Sequence, residues 1–236
     1  MCFYTSNSKR ALALARRYGK KTDIIEIAQE IIEEQYRISA FTHPSCPIIT
    51  ANQNVEVAKW GLIPHWTKSV DDANKYRNMC LNARSETVFG MPSFHSPILS
   101  KRCLIPVTGY FEFHHHEKTT SPYYIHLMEE DIFSLGGLYE QWRHPVSKEI
   151  IQTFTILTVT ANKLCAEIHN GGKNPFRMPL IIKKEDEEDW LKTSLSTNDI
   201  MHFFTPFDDA CMHAYPVSKD FLKMNPKDAS IIIQAA

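Results

Sequence analysis

The sequence predicts an α+β fold: a single domain over residues 1–236, built on a barrel-like, mainly antiparallel β-sheet with peripheral helices. Three observations carry this expectation. Between Cys103 and Thr160, β-favouring apolar segments recur at short spacing with turn residues between them, which reads as antiparallel sheet curling toward a barrel. Helical periodicity is confined to the flanks of that stretch. No repeat, linker or low-complexity segment divides the chain.

The elements follow in order. Cys2-Phe3-Tyr4-Thr5 favours a short strand. Ser8 can cap a helix running to about Tyr18, with Gly19 to end it. Asp23-Ile24-Ile25-Glu26 has capping-box spacing, and apolar residues recur behind it at helical period. Residues 36–41 alternate as a strand, 42–45 form a turn, and 47–50 are extended. A further strand runs from Val55 to Leu62 and breaks at Pro64. Residues 66–84 are polar with little periodicity and predict a long loop; 85–91 predict the start of a helix. Strands are expected at 103–107, 109–114, 123–127, 132–136, 153–160, 178–182 and 212–217. Helices are expected at 162–169, 184–191 and 198–204.

Composition narrows the function. Hydrophobic residues make up 43% and charged residues 22%, ordinary globular values, so the chain can bury a core without disulfide staples. A net charge of −1 excludes a chain-wide basic footprint, so any polyanion site must be a local patch. The six cysteines are scattered with no CxxC pair, as expected of reduced thiols in a cytoplasmic protein. No charged leader opens the chain, and no apolar run approaches ~18 residues, so no membrane partner is expected. The default oligomeric state is a monomer.

Residue 2 is a cysteine directly behind Met1. Removal of Met1 would leave an α-amine of pKa ~7.7–8.0 and a thiol of pKa ~8.5 on one residue. Such an aminothiol forms an imine with an aldehyde and then closes to a thiazolidine ring. A lone Cys2 also has a bland reading, as whatever residue follows Met1.

Four other segments can carry chemistry. In Trp60-Gly61-Leu62-Ile63-Pro64-His65-Trp66, Trp60 reads as a core residue. Trp66, beyond the proline, reads as an exposed ring that could stack on or wedge into nucleic acid. In Asn82-Ala83-Arg84-Ser85-Glu86-Thr87, Asn82 offers a donor and an acceptor and Arg84 a fork for phosphate; helix capping explains the segment equally well. Glu112 lies between Phe111 and Phe113. Burial would raise its pKa toward that of a general acid, whereas strand alternation would put it on the solvent face; the two readings are even. His169, near a helix end and followed by Arg177, has the titration range of a general base, though a lone histidine is more often structural. His114-His115-His116 reads as a hairpin tip. Adjacent residues point apart and no matching ligand spacing exists, so no metal and no cofactor are expected.

Taken together, these segments resemble the SOS response-associated peptidase (SRAP) family of abasic-site processing proteins. The resemblance rests on Cys2, WGLIPHW at 60–66, NARSET at 82–87, RCLIPVTGYFEF at 102–113, PYYIH at 122–126, LGGLYEQW at 135–142 and the TVTAN…IH…RMPLII run ending at Ile182. It implies the SRAP fold with a cleft for single-stranded DNA containing abasic sites, and a nucleoid-associated role for a cytoplasmic protein. It further implies Cys2 as the nucleophile that leaves a thiazolidine crosslink. Asn82 would contact the N-terminal residue and the sugar. Glu112 would open the sugar ring and take part in processing and crosslink reversal, and His169 would manage proton transfer. Arg84 would bind phosphate, with Arg177 beside it, while Trp66 and Pro44 would wedge next to the lesion.

Two departures stand out. Phe3 and Tyr4 replace the family's Gly-Arg after Cys2, and residues 170–176 make a longer, glycine-containing connection between His169 and Arg177, expected to be a flexible loop. Two other functions compete on the residues alone: an N-terminal-nucleophile cysteine peptidase that ignores DNA, and a non-catalytic single-strand binding module.

Overall fold

Strands carry most of this structure, and their pairing explains where the chain's N-terminus goes. The computed structural model describes residues 1–9, 11–20 and 34–235; the capping box expected at 23–26 and the periodic segment behind it lie outside them. The strands in chain order are β1 (Tyr4–Asn7), β2 (Gln35–Ser39), β3 (Ser45–Ile49), β4 (Val55–Trp60), β5 (Asn82–Arg84), β6 (Arg102–Val107) and β7 (Gly109–His115). There follow β8 (Thr120–Leu127), β9 (Phe133–Arg143), β10 (Ile150–Thr160), β11 (Arg177–Pro179), β12 (Ile181–Ile182) and β13 (Met212–Pro216).

Five of these strands close on themselves in the ring β10-β4-β3-β6-β9, because β9 pairs back onto β10. Every pairing in the ring is antiparallel except β10 with β4. Closure removes the open edges that a sheet of this length would otherwise expose. β6 is buried along its whole length, which accounts for its unbroken apolar run Cys103-Leu104-Ile105-Pro106-Val107. Its leading Arg102 is also buried and structural: the guanidinium donates to the backbone carbonyls of Ile98, Leu99, Trp190 and Lys192.

A second, antiparallel sheet runs β13-β8-β7-β1-β2. Here β1 is sandwiched between β2 and β7, with Tyr4 opposite Phe111 and Thr5 opposite Tyr110. Extending that register by one residue brings the chain before Tyr4 alongside Glu112. The fold thus sets the first residues against the middle of β7 by backbone pairing.

The α-helices among the described residues are α1 (Ala11–Arg17), α2 (Val70–Met79), α3 (Pro92–Ser100), α4 (Lys163–Ile168), α5 (Glu187–Leu191) and α6 (Thr197–His202). Two differ from the sequence reading. The long loop expected at 66–84 contains α2. Ser69 caps it by accepting from the Asp72 amide at 3.0 Å, and Asp71 and Asp72 favour its positive N-terminus. Its only buried residue is Ala73, so it carries almost no apolar stripe to read. The helix expected from 85 is a run of turns, and α3 begins only at Pro92, a residue pre-set for a first helical turn. Strands β9 and β10 also extend as a hairpin beyond the expected 132–136 and 153–160.

Candidate active site

α4 is short and fixed at both ends. Asn162 caps it by accepting from the Cys165 amide at 2.8 Å, and His169 closes it by donating its own amide to the Cys165 carbonyl. The His169 ring is then oriented by Arg177. Its Nδ1 lies 2.9 Å from the Arg177 carbonyl oxygen and 3.4 Å from the Arg177 amide. The shorter contact decides the tautomer: Nδ1–H donates to the carbonyl, and Nε2 is left as an acceptor.

The Met1 amine reaches that acceptor. It lies 3.1 Å from Nε2 of His169 and 3.6 Å from Oε1 of Glu112. Glu112 Oε2 and His169 Nε2 are 3.9 Å apart, too far for a hydrogen bond but close enough for one substrate hydroxyl to bridge them. Glu112 is 3% exposed, so the solvent-face reading of strand alternation is overturned. Burial pushes its carboxyl up to about 7, against the opposing pull of the Met1 ammonium. Burial and the same ammonium push the His169 imidazolium down to about 4. Between those values both groups are neutral: a carboxylic acid able to give a proton beside an imidazole able to take one. The 3.9 Å contact is therefore not an ion pair in that range.

Cys2 is fully buried. Desolvation, and then the Glu112 charge, raise its thiol well above the ordinary range. The thiol's hydrogen-bond partner is the Tyr4 carbonyl at 3.8 Å. With Met1 attached, the Cys2 nitrogen is a peptide nitrogen and its sulfur a neutral thiol.

A cavity of about 460 Å³ opens beside this group. Met1, Glu112 and His169 line it, with Phe3, Phe41, Phe113, His115 and the loop 171–174. The connection that carries this loop is anchored at its base. Asn170 accepts from the His115 amide at 2.7 Å and donates to the His115 carbonyl at 3.1 Å, so its side chain pairs with β7 as a strand would. Phe176 donates its amide to the His169 carbonyl, closing the loop base. Gly171 is required: a Cβ there would meet the His115 ring at 2.5 Å.

The other predicted residues lie outside this cavity's lining. Asn82 sits on β5 opposite Ile156 of β10, and both atoms of its side-chain amide are buried without a partner. An orphaned buried amide costs about 1–3 kcal/mol per group. Arg84, two residues on, is exposed and has no ion-pair partner among the described residues. Arg177 differs: its guanidinium is buried, donating to Glu86 and to the backbone and hydroxyl oxygens of Thr158. Trp66 is 43% exposed and packs edge-on against Tyr76, whereas Trp60 is buried and donates to the Leu81 carbonyl. Pro44 is half-buried just before β3, its carbonyl accepting from the Trp60 amide.

Phe41, His115, Lys173 and Asn174 were not singled out as site residues from the sequence. Phe41 carried the only usable signal, a large aromatic beside the Thr42-His43-Pro44 turn. Among the described residues, no group of three or more His, Cys, Asp or Glu is placed to hold a metal ion. No helix among them is long and apolar enough to cross a membrane.

A closed barrel whose N-terminus is laid on a buried acid and an oriented imidazole defines a specific class of protein. The chain belongs to the SOS response associated peptidase (SRAP) family, whose model matches residues 1–224. It is 36% identical over 223 residues to the abasic site processing protein YoqW of Bacillus subtilis, covering 90% of this chain and 94% of that one. It is 27% identical over 244 residues to the abasic site processing protein HMCES of Gallus gallus, covering 89% and 69% respectively. A crystal structure of a protein from Bacteroides thetaiotaomicron superposes over the full length of both chains with a TM-score of 0.96 and 45% identity. A Bordetella bronchiseptica structure at 20% identity and a TM-score of 0.78 shares the fold.

Proposed function

We propose that this protein processes abasic sites in single-stranded DNA, capturing them covalently through Cys2 once Met1 has been removed. One observation carries the reading: the N-terminal amine lies within 3.1 Å of an imidazole acceptor and 3.6 Å of a buried carboxyl, at the wall of an open cavity. The relatives named for abasic-site processing supply the substrate class.

The first step hydrolyses the Met1–Cys2 peptide bond, consuming one water and freeing the Cys2 amine. Protonated Glu112 donates to the ring oxygen of the abasic deoxyribose while its other carboxyl oxygen takes the proton of the C1 hydroxyl, so the ring opens to the aldehyde and Glu112 is left protonated for the next step. The Cys2 amine then adds to the aldehyde carbon. His169 Nε2 takes the proton lost by nitrogen, and Glu112 gives one to the departing hydroxyl, so that one water leaves and an imine forms. The Cys2 sulfur adds to the imine carbon while its proton passes to the imine nitrogen, closing the thiazolidine. The order assigned is that nitrogen attacks first and the sulfur follows from its neutral form, the form that burial favours while Met1 is attached. Asn82 is assigned to hold the sugar, Arg84 to hold phosphate, and Trp66 with Pro44 to keep the strand kinked. Arg177 holds His169 through its carbonyl.

The test is incubation of the Met1-free chain with an abasic single-stranded oligonucleotide. A heat-stable adduct on a denaturing gel is expected, absent from Cys2→Ala. An equal adduct from Cys2→Ala would remove Cys2 from the nucleophile's role.

A further inference from the structure

A deoxyribose that has lost its base has no flat face, yet the cavity beside the Met1 amine is walled by aromatic rings. Phe3, Tyr4, Phe41, Phe111 and Phe113 all contribute to its lining. Phe3 and Phe41 form a pair with ring centroids 5.0 Å apart and planes tilted by 33°. Phe41 is 55% exposed, so one face of this aromatic pair is open to the cavity. Its position is fixed from both sides, because the Phe3 carbonyl accepts from the Ala40 amide at 2.9 Å and Tyr4 packs edge-on against the Phe41 ring.

The same cavity carries a cation. Lys173 lines it, is exposed, and has no carboxylate partner among the described residues. Its loop is held in place by the Asn170–His115 pair and by the contact of Gly171 with the His115 ring. An aromatic stacking surface and an ammonium with no carboxylate partner among the described residues match the two recognisable parts of a nucleotide, base and phosphate.

We propose that this cavity is a nucleotide subsite. It takes the intact nucleotide adjoining the abasic sugar, with the base stacked on Phe41 and Phe3 and the phosphate paired with Lys173. The inference rests on the abasic-site reading and adds to it residues that this chain places where Gly-Arg would follow Cys2 and in the lengthened 170–176 connection. It predicts a dependence on the neighbouring base, with purines favoured because they stack over a larger area.

The test uses single-stranded oligonucleotides carrying a tetrahydrofuran abasic analogue, which has no aldehyde and so reports binding without chemistry. 2-Aminopurine is placed on either side of the analogue. The wild-type chain is expected to quench the 2-aminopurine on one side. Phe41→Ala should abolish the quench and weaken binding about tenfold, while Phe41→Trp retains both. Lys173→Gln should lower the slope of log affinity against log salt by about 0.7, with Lys173→Arg unchanged. Phe41 is exposed, so loss of fold does not confound its substitution. An unaltered quench in Phe41→Ala, or an unaltered salt slope in Lys173→Gln, overturns the subsite. A wild-type chain that quenches but never crosslinks a natural abasic site would instead sink the capture reading and leave the subsite standing.

Discussion

Glu112 and His169 face each other across 3.9 Å, one held as a protonated acid up to about pH 7 and the other as a neutral base down to about pH 4. They come from distant parts of the chain, and the N-terminal amine lies against both. Burial separates their roles, since the same desolvation that raises a carboxyl lowers an imidazole.

The rate of crosslinking should therefore be bell-shaped in pH. Glu112 ionises around pH 7 and the Cys2 amine becomes neutral nearer ~8, so the rate peaks between those values and falls above them, where the protonated acid is lost faster than neutral amine is gained. Glu112→Gln should remove the falling limb and lower the maximum by about 100-fold or more. Single-turnover rates from pH 5 to 9 check this; a falling limb that survives the substitution assigns it elsewhere.

Stability should respond in opposite senses to the two groups. Between about 4.5 and 7 the folded state keeps the Glu112 proton that the unfolded chain has released, so this group lowers stability as pH rises. Between about 4 and 6.5 the unfolded chain binds a proton at His169 that the folded state lacks, so this group raises stability as pH rises. The two slopes offset each other in the wild type. Glu112→Gln should expose the His169 slope, at most ~1.4 kcal/mol per pH unit, in urea melts between pH 4.5 and 6.5.

Cys2→Ser keeps the amine and replaces the sulfur. It should still form an imine, trapped by borohydride within about threefold of the wild-type yield, but no heat-stable adduct without reductant. A stable adduct from this variant would show that ring closure by sulfur is not what makes the product last.

Gly61 sits at φ +113, where a Cβ would meet the Arg77 carbonyl oxygen at 2.5 Å. Backbone of that kind costs a non-glycine residue about 1–3 kcal/mol before the clash is counted. Gly61→Ala should lower the denaturation midpoint accordingly, and since Gly61 turns the chain toward Trp66, it should weaken DNA binding as well.

Much of this was legible in the sequence because the signals were local. Strands β6, β7 and β10 announced themselves by dense apolar runs, and Trp66 announced its exposure by following Pro64. The buried state of Glu112 was not legible: alternation counts faces, and only pairing of β1 onto β7 covers the second face. The α2 helix was hidden because a surface helix with one buried alanine has no stripe, although Ser69 and Asp72 spelled its cap. The 170–176 connection read as flexible from Gly171-Gly172, but Asn170 binds a backbone 55 residues away, a pairing no local pattern records.

The central claim is that the freed Cys2 joins its own nitrogen and sulfur to the abasic carbon. Intact mass of the purified chain after incubation with an abasic oligonucleotide tests it most directly. The predicted species equals the chain lacking Met1 plus the oligonucleotide less one water, stable to heat and absent from Cys2→Ala. A chain that has lost Met1 and shows only its free mass, under conditions where it binds the oligonucleotide, would contradict the account.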